Sequence, residues 1–119
     1  MKLLLHGARG VMGMNVIEVA RNTEGCEISC GVDAHAEGAD IGFPLYEDIF
    51  KVKEDFDLII DFSVREAVDR LLDFAVEKKK ALVLCTTGLS EEQENKIEES
   101  SKHIPILQSG NMSLGVNIL

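Results

Sequence analysis

Apolar residues fall along this chain in two rhythms. Leu3-Leu4-Leu5, the stretch Asp57-Leu58-Ile59-Ile60-Asp61-Phe62 and the run Ala81-Leu82-Val83-Leu84-Cys85 are short and nearly continuous, the pattern of strands buried on both faces. Between the last two, Val64, Ala67, Val68, Leu71, Leu72, Ala75 and Val76 recur at helical spacing and line one face. Cys26 to Asp33 alternates apolar with polar and reads as a second strand, with Cys26 and Cys30 sharing a face. Tyr46 to Val52 predicts a short helix, and Ile104-Pro105-Ile106-Leu107 a last strand.

Helix starts follow from side-chain caps. Ser63 with Glu66 three residues on predicts a capping box for the middle helix, and Ser90 with Gln93 predicts one for a third helix running to about Ser101. Lys78-Lys79-Lys80 falls at the middle helix's C-terminus, where cations complement the dipole and remain solvated. Strands alternating with helices call for right-handed crossovers and a parallel sheet covered on both faces. The expected fold is therefore α/β, a Rossmann-like doubly wound sheet, with residues 1–119 forming one domain.

In such sheets ligands lie outside the carboxyl ends of the strands. The first of these ends carries Gly7-Ala8-Arg9-Gly10-Val11-Met12-Gly13, which passes from a buried strand through glycines directly into a helix. Glycine permits the turn, its missing Cβ lets backbone N–H groups approach an anion, and the helix N-terminus adds unpaired donors. The second strand ends in Asp33, twenty residues beyond Gly13, where a carboxylate can accept hydrogen bonds from ribose hydroxyls. No Lys-Ser or Lys-Thr pair follows the last glycine, which argues against a P-loop.

Charge and composition narrow the partners. Twelve basic residues against 21 acidic ones leave the 119-residue chain with a net charge of −9, which disfavours nucleic acid and anionic membranes. No apolar run approaches the roughly 20 residues of a membrane span, and the expected location is the cytoplasm. Cys26, Cys30 and Cys85 lie in apolar strand patterns and offer no metal-ligand spacing. His6, at the end of the first strand, reads as a packed or backbone-bonded residue, His35 as solvated or near an adenine, and His103 as a surface residue. Asp61 reads as a strand-end or loop-ordering acid rather than a general base. No Ser-His-Asp order or paired carboxylates support hydrolysis, and no catalytic residue is assigned.

With its loops aligned, the chain resembles the N-terminal domain of the 4-hydroxy-tetrahydrodipicolinate reductase (dihydrodipicolinate reductase) family, of the diaminopimelate route to lysine. The residues that carry the likeness are G-A-R-G-V-M-G at Gly7 to Gly13, the acid at Asp33, D-F-S at Asp61 to Ser63, T-T-G at Thr86 to Gly88, and N-M-S-L-G-V-N at Asn111 to Asn117. The resemblance implies an NAD(P)H-dependent reductase that transfers hydride to a small cyclic dicarboxylate. It implies that Gly7, Ala8, Arg9, Gly10, Val11 and Met12 hold the pyrophosphate and Asp33 the adenosine ribose. Cys85, Thr86, Thr87, Ser109, Gly110, Asn111 and Met112 would line the nicotinamide and its ribose, largely through backbone groups.

Val11 and Ala34 stand where the family often carries a basic residue for a 2′-phosphate, so NADH is expected to be preferred and NADPH to remain possible. Cys85 stands where the family usually has glycine, and Met112 where it usually has phenylalanine. The family's catalytic histidine and lysine belong to a C-terminal substrate domain that also builds a homotetramer. That domain is expected to be absent here, leaving a cofactor-binding half that is inactive alone and a monomer or weak dimer. Two other readings compete: a free-standing redox-sensing module, and the cofactor domain of another amino-acid or aldehyde reductase.

Overall fold

The computed structural model describes residues 1–34 and 42–108. Six strands, β1 (Lys2–His6), β2 (Glu27–Val32), β3 (Leu45–Tyr46), β4 (Leu58–Asp61), β5 (Ala81–Leu84) and β6 (Ile106–Gln108), form one sheet in the order β3-β2-β1-β4-β5-β6. Every neighbouring pair is parallel. The helices are α1 (Val11–Arg21), α2 (Val68–Lys78) and α3 (Glu91–Ser100). The expected Rossmann-like arrangement is therefore present, and the strand order reverses between β1 and β4. At that switch point the loops leaving two adjacent strands part in opposite directions and open a crevice.

Alternation along the strands divides the core into two layers. Leu4, Ile59 and Leu82 pack with Val68, Leu71, Leu72 and Phe74 of α2 and with Ile97 of α3. Leu5 faces the other way, with Ala8 and Ile17, against partly buried Val16, Ile28, Ile60 and Phe62. Phe74 is ringed by aromatic neighbours, edge-on to Phe50 at 5.4 Å and stacked on Phe56 at 5.9 Å between centroids. Such pairs each add about 0.5–1.5 kcal/mol beyond burial.

Several local expectations change. The middle helix does not begin on a Ser63 cap: a 3-10 turn at Arg65–Ala67 leads into α2, whose N-cap is Ala67 without a side-chain bond. The Ser63 hydroxyl is taken instead by Asp61. The segment expected to be a helix from Tyr46 to Val52 is split, with Tyr46 closing β3 and a 3-10 turn at Ile49–Lys51 capped by Asp48. Cys26 and Cys30 do not share a face. The β1–β2 register shifts between Leu3 and Leu4, so that Leu3 lies beside Ile28 and Leu4 beside Cys30. Cys30 then enters the layer with α2, whereas Cys26 lines a cavity against Ile17 and Ala20 of α1.

Other expectations hold. Ser90 and Gln93 form the reciprocal capping box of α3. The lysine run closes α2, with Lys79 in the left-handed conformation (φ 56°) as the cap. Lys80 is less solvated than expected, since it pairs with Asp55 at 3.6 Å and lies over the Phe56 ring.

Candidate functional site

A cleft of about 430 Å³ opens at the carboxyl ends of β1, β2 and β4, with His6, Gly7, Gly10, Asp33, Glu47 and Val64 among its lining residues. Its floor is the turn between β1 and α1. Gly7 has φ +86°, and a Cβ there would lie 2.6 Å from the Phe62 carbonyl oxygen; a Cβ on Gly13 would lie 2.4 Å from the Gly7 carbonyl oxygen. Both glycines are required by the close approach of α1 and the β4 exit loop to the turn. Gly10 differs: its φ is −76°, and a Cβ would meet nothing nearer than the Gly7 oxygen at 3.5 Å. Gly10 caps α1 without a side-chain hydrogen bond, so the donors of the first helical turn are left to solvent or a ligand.

The turn is anchored by its neighbours. The Gly7 N–H donates to the Val32 carbonyl at 2.7 Å, and the Arg9 N–H donates to Asp33 Oδ2 at 2.9 Å. The Asp33 N–H in turn donates to the Tyr46 carbonyl, so β3 holds the end of β2. Glu47, next to Tyr46, reaches the same cleft and gives its mouth a second carboxylate. Nothing in the local pattern around Glu47 marks it as a site residue; it arrives there through the pairing of β2 with β3.

Behind the cleft lies a buried polar cluster. Asp61, fully buried, accepts at Oδ1 from His6 Nδ1 (2.7 Å), the Ser63 N–H (3.0 Å) and the Ser63 hydroxyl (2.5 Å), and at Oδ2 from the Thr86 hydroxyl. Burial pushes its carboxyl upward, but the bonds and charge of His6 and the hydroxyls of Ser63 and Thr86 outweigh that and hold it below the usual carboxylate range. A carboxylate saturated in this way is a poor base. It orders the loops, as expected, because its donors come from β1, from the exit loop of β4 and from the exit loop of β5. His6 is buried as expected, but its partner is a carboxylate and not the backbone.

The exit loop of β5 is braced from its far side: Arg65 donates to the Gly88 carbonyl, and Gln93 donates to the Arg65 carbonyl. Of the expected site residues, Gly7, Arg9, Gly10 and Asp33 converge on the cleft. Ala8 is fully buried beneath the turn, while Val11 and Met12 expose their side chains at the start of α1, so these three offer the cleft only backbone. Cys85, Thr86 and Thr87 follow β5 without lining the cleft, and Thr86 is committed to Asp61. Ser109, Gly110, Asn111 and Met112, together with His35, lie outside the described residues.

Burial raises the Cys30 thiol to about 11, which makes it inert at neutral pH. Among the described residues no group of three metal-ligating side chains is present, and no helix is long and apolar enough to cross a membrane. A second cavity, of about 290 Å³ beside Cys26 and Arg21, sits at the amino end of β2, away from the strand-end loops.

Comparison with known proteins finds relatives over nearly the whole chain. The family model for "Dihydrodipicolinate reductase, N-terminus" matches residues 1–112. The 4-hydroxy-tetrahydrodipicolinate reductase of Caldanaerobacter subterraneus subsp. tengcongensis is 44% identical over 118 residues, covering 99% of this chain and 46% of the relative. That of Clostridium tetani is 39% identical with the same coverage. The chain thus spans about half the length of the curated relatives it matches. Among solved structures, a dipicolinate-bound dihydrodipicolinate reductase from Paenisporosarcina sp. TG-14 superimposes with a TM-score of 0.73, at 19% identity, over 85% of this chain and 43% of that one. An oxidoreductase from Agrobacterium radiobacter, in complex with NAD+, L-tartaric acid and magnesium, does so with a TM-score of 0.71, at 17% identity, over 91% of this chain and 34% of that one. The chain belongs to the dihydrodipicolinate reductase family and corresponds to the N-terminal part of its members.

Proposed function

We propose that residues 1–119 form the dinucleotide-binding domain of a 4-hydroxy-tetrahydrodipicolinate reductase, and that the cleft at the ends of β1, β2 and β4 takes NAD(H). The observation that carries this reading is Gly10. Gly7 and Gly13 are explained by packing within the fold, but a side chain at Gly10 would meet no obstacle in the protein. Its absence keeps the cap-free N-terminus of α1 open to an anion. A pyrophosphate fits these donors, and the Asp33 carboxylate, steadied by the Arg9 N–H at the cleft mouth, fits ribose hydroxyls.

When bound, the nicotinamide supplies the hydride. This chain's residues bind and orient it: the turn holds the phosphates, Asp33 the adenosine ribose, and the loop Cys85-Thr86-Thr87, with Ser109 to Met112, the nicotinamide end. Substrate protonation and recognition of a cyclic dicarboxylate are assigned to the remaining half of the relatives' length, and cofactor binding to residues 1–119.

Asp33 and Glu47 together repel a 2′-phosphate, with Arg9 the one arginine or lysine among the described lining residues. NADH is therefore preferred over NADPH. Calorimetric titration tests this: saturable NADH binding, weaker NADPH binding, and loss of at least about tenfold in NADH affinity in Asp33→Ala, the scale of one hydrogen bond to a charged group. Equal affinity for both nucleotides with no effect of Asp33→Ala would remove Asp33 from the ribose role.

A further inference from the structure

Among the described residues that line the cleft, His6 is the one titratable side chain that the cofactor reading leaves without a task. It ends β1 immediately before Gly7, its side chain is 7% exposed, and it lines the same cleft as Gly7 and Gly10. Its Nδ1 is fixed 2.7 Å from Asp61 Oδ1. An ionised carboxylate can only accept, so Nδ1 carries a proton. The other ring nitrogen, Nε2, makes no hydrogen bond, yet no buried side-chain nitrogen or oxygen among the described residues lacks a partner. Nε2 is therefore not sealed in the core, and the open space that His6 borders is the cleft.

The consequence depends on protonation. With Nδ1–H committed to Asp61, neutral His6 presents a lone pair at Nε2 and repels an anion; protonated His6 presents an N–H and attracts one. Around it stand Asp61 on β4, Asp33 after β2, Glu47 after β3 and Arg9 in the adjoining turn, while the exit of β5 contributes the Thr86 hydroxyl and Cys85, whose backbone N–H donates to the Asp61 carbonyl. A phosphate arriving at Nε2 interacts favourably with the protonated imidazole and unfavourably with the neutral one.

We propose that His6 is a protonation-dependent ligand for the phosphate bridge of the dinucleotide, held by Asp61 through Nδ1 and donating from Nε2 to a phosphate oxygen only when the ring is fully protonated. The inference rests on dinucleotide binding in this cleft. Binding then takes up protons from solvent, and NADH affinity falls as pH rises.

Calorimetry of the whole chain with NADH, in two buffers of different ionisation enthalpy, reads this directly. Net proton uptake near pH 7.5 and a Kd rising about tenfold from pH 6 to pH 8 are expected, the size of a one-unit preference for the protonated form. His6→Gln keeps an N–H donor but cannot titrate, and is expected to bind with no uptake and a flat profile. ADP-ribose, which carries the phosphates without nicotinamide, should reproduce the uptake, and adenosine should not.

NADH binding by the unsubstituted chain without proton uptake would overturn the role of His6 and leave the cofactor reading standing. Uptake with NADH but not with ADP-ribose would overturn the assignment to the phosphate bridge. Failure of NADH to bind at any pH would overturn both. Should His6→Gln not fold, the His6 ring resonances of the unsubstituted chain serve instead: NADH should hold them in their protonated position to higher pH, with His103, exposed and not lining the cleft, as the unmoved control.

Discussion

A Cβ on Gly13 would lie 2.4 Å from the Gly7 carbonyl oxygen, whereas one on Gly10 would come no closer than 3.5 Å. Gly13→Ala is therefore expected to lose about 2–4 kcal/mol of stability, since backbone must move to admit the methyl group. Gly10→Ser should stay within about 0.5 kcal/mol of the parent, because serine is a favoured N-cap. It should nonetheless weaken NADH binding by about tenfold or more by placing a side chain over the donors. Urea melts paired with NADH titrations separate the two outcomes; equal binding by Gly10→Ser and the parent would deny that the turn is a phosphate cradle. Asp61 makes a second residue-scale prediction. Its carboxyl lies below the usual carboxylate range in the fold, so its contribution is present above the unfolded value near 4 and is lost as pH falls through the depressed folded value. Asp48 and Glu54 are lowered too, by the Phe50 N–H with Arg70 and by the Tyr46 hydroxyl respectively, and add to the same acid-side decline. Asp61→Asn should cost about 2–3 kcal/mol at pH 7 and show a shallower loss of Tm below pH 4; an unchanged acid limb would mean that the cluster contributes no pH-dependent stability.

The helices show what side-chain chemistry reveals locally and what it hides. Ser90 and Gln93 satisfy each other within three residues, so the start of α3 was legible in the sequence, and Ser90→Ala should cost about 1 kcal/mol in chemical denaturation. Ser63 and Glu66 have the same spacing and fail as a cap, because Asp61 at the end of β4 takes the Ser63 hydroxyl and bends the chain into a 3-10 turn. An acid two residues earlier competes for the same hydroxyl, and only the buried position of Asp61 decides the contest. The β2 strand was legible from its alternation, but the register shift opposite Leu3 and Leu4 was not, and it sends Cys30 to the α2 layer while Cys26 faces α1. The two-residue β3 is too short to carry a rhythm, yet it brings Glu47 to the cleft.

At the scale of the whole molecule, the strand order turns a local motif into a site. The β1-turn-α1-β2 unit is contiguous in sequence, which is why the grouping of Gly7, Gly10 and Asp33 is legible there. The contributions of β4 and β3 to the same cleft required the crossover at the switch point and the pairing of β2 with β3. The Asp61 cluster then ties the exit loops of β4 and β5 to the end of β1, so the cleft and the expected nicotinamide-side loop share one buried anchor. Dinucleotide binding at the carboxyl ends of β1, β2 and β4 is tested by amide chemical-shift mapping during titration with NADH. Saturable shifts concentrated at Gly7 to Val11, Asp33 and Ser63 are expected, with those around Cys26 and Arg21 unmoved. Absence of shifts at saturating NADH, or shifts centred on the cavity beside Cys26, would contradict it.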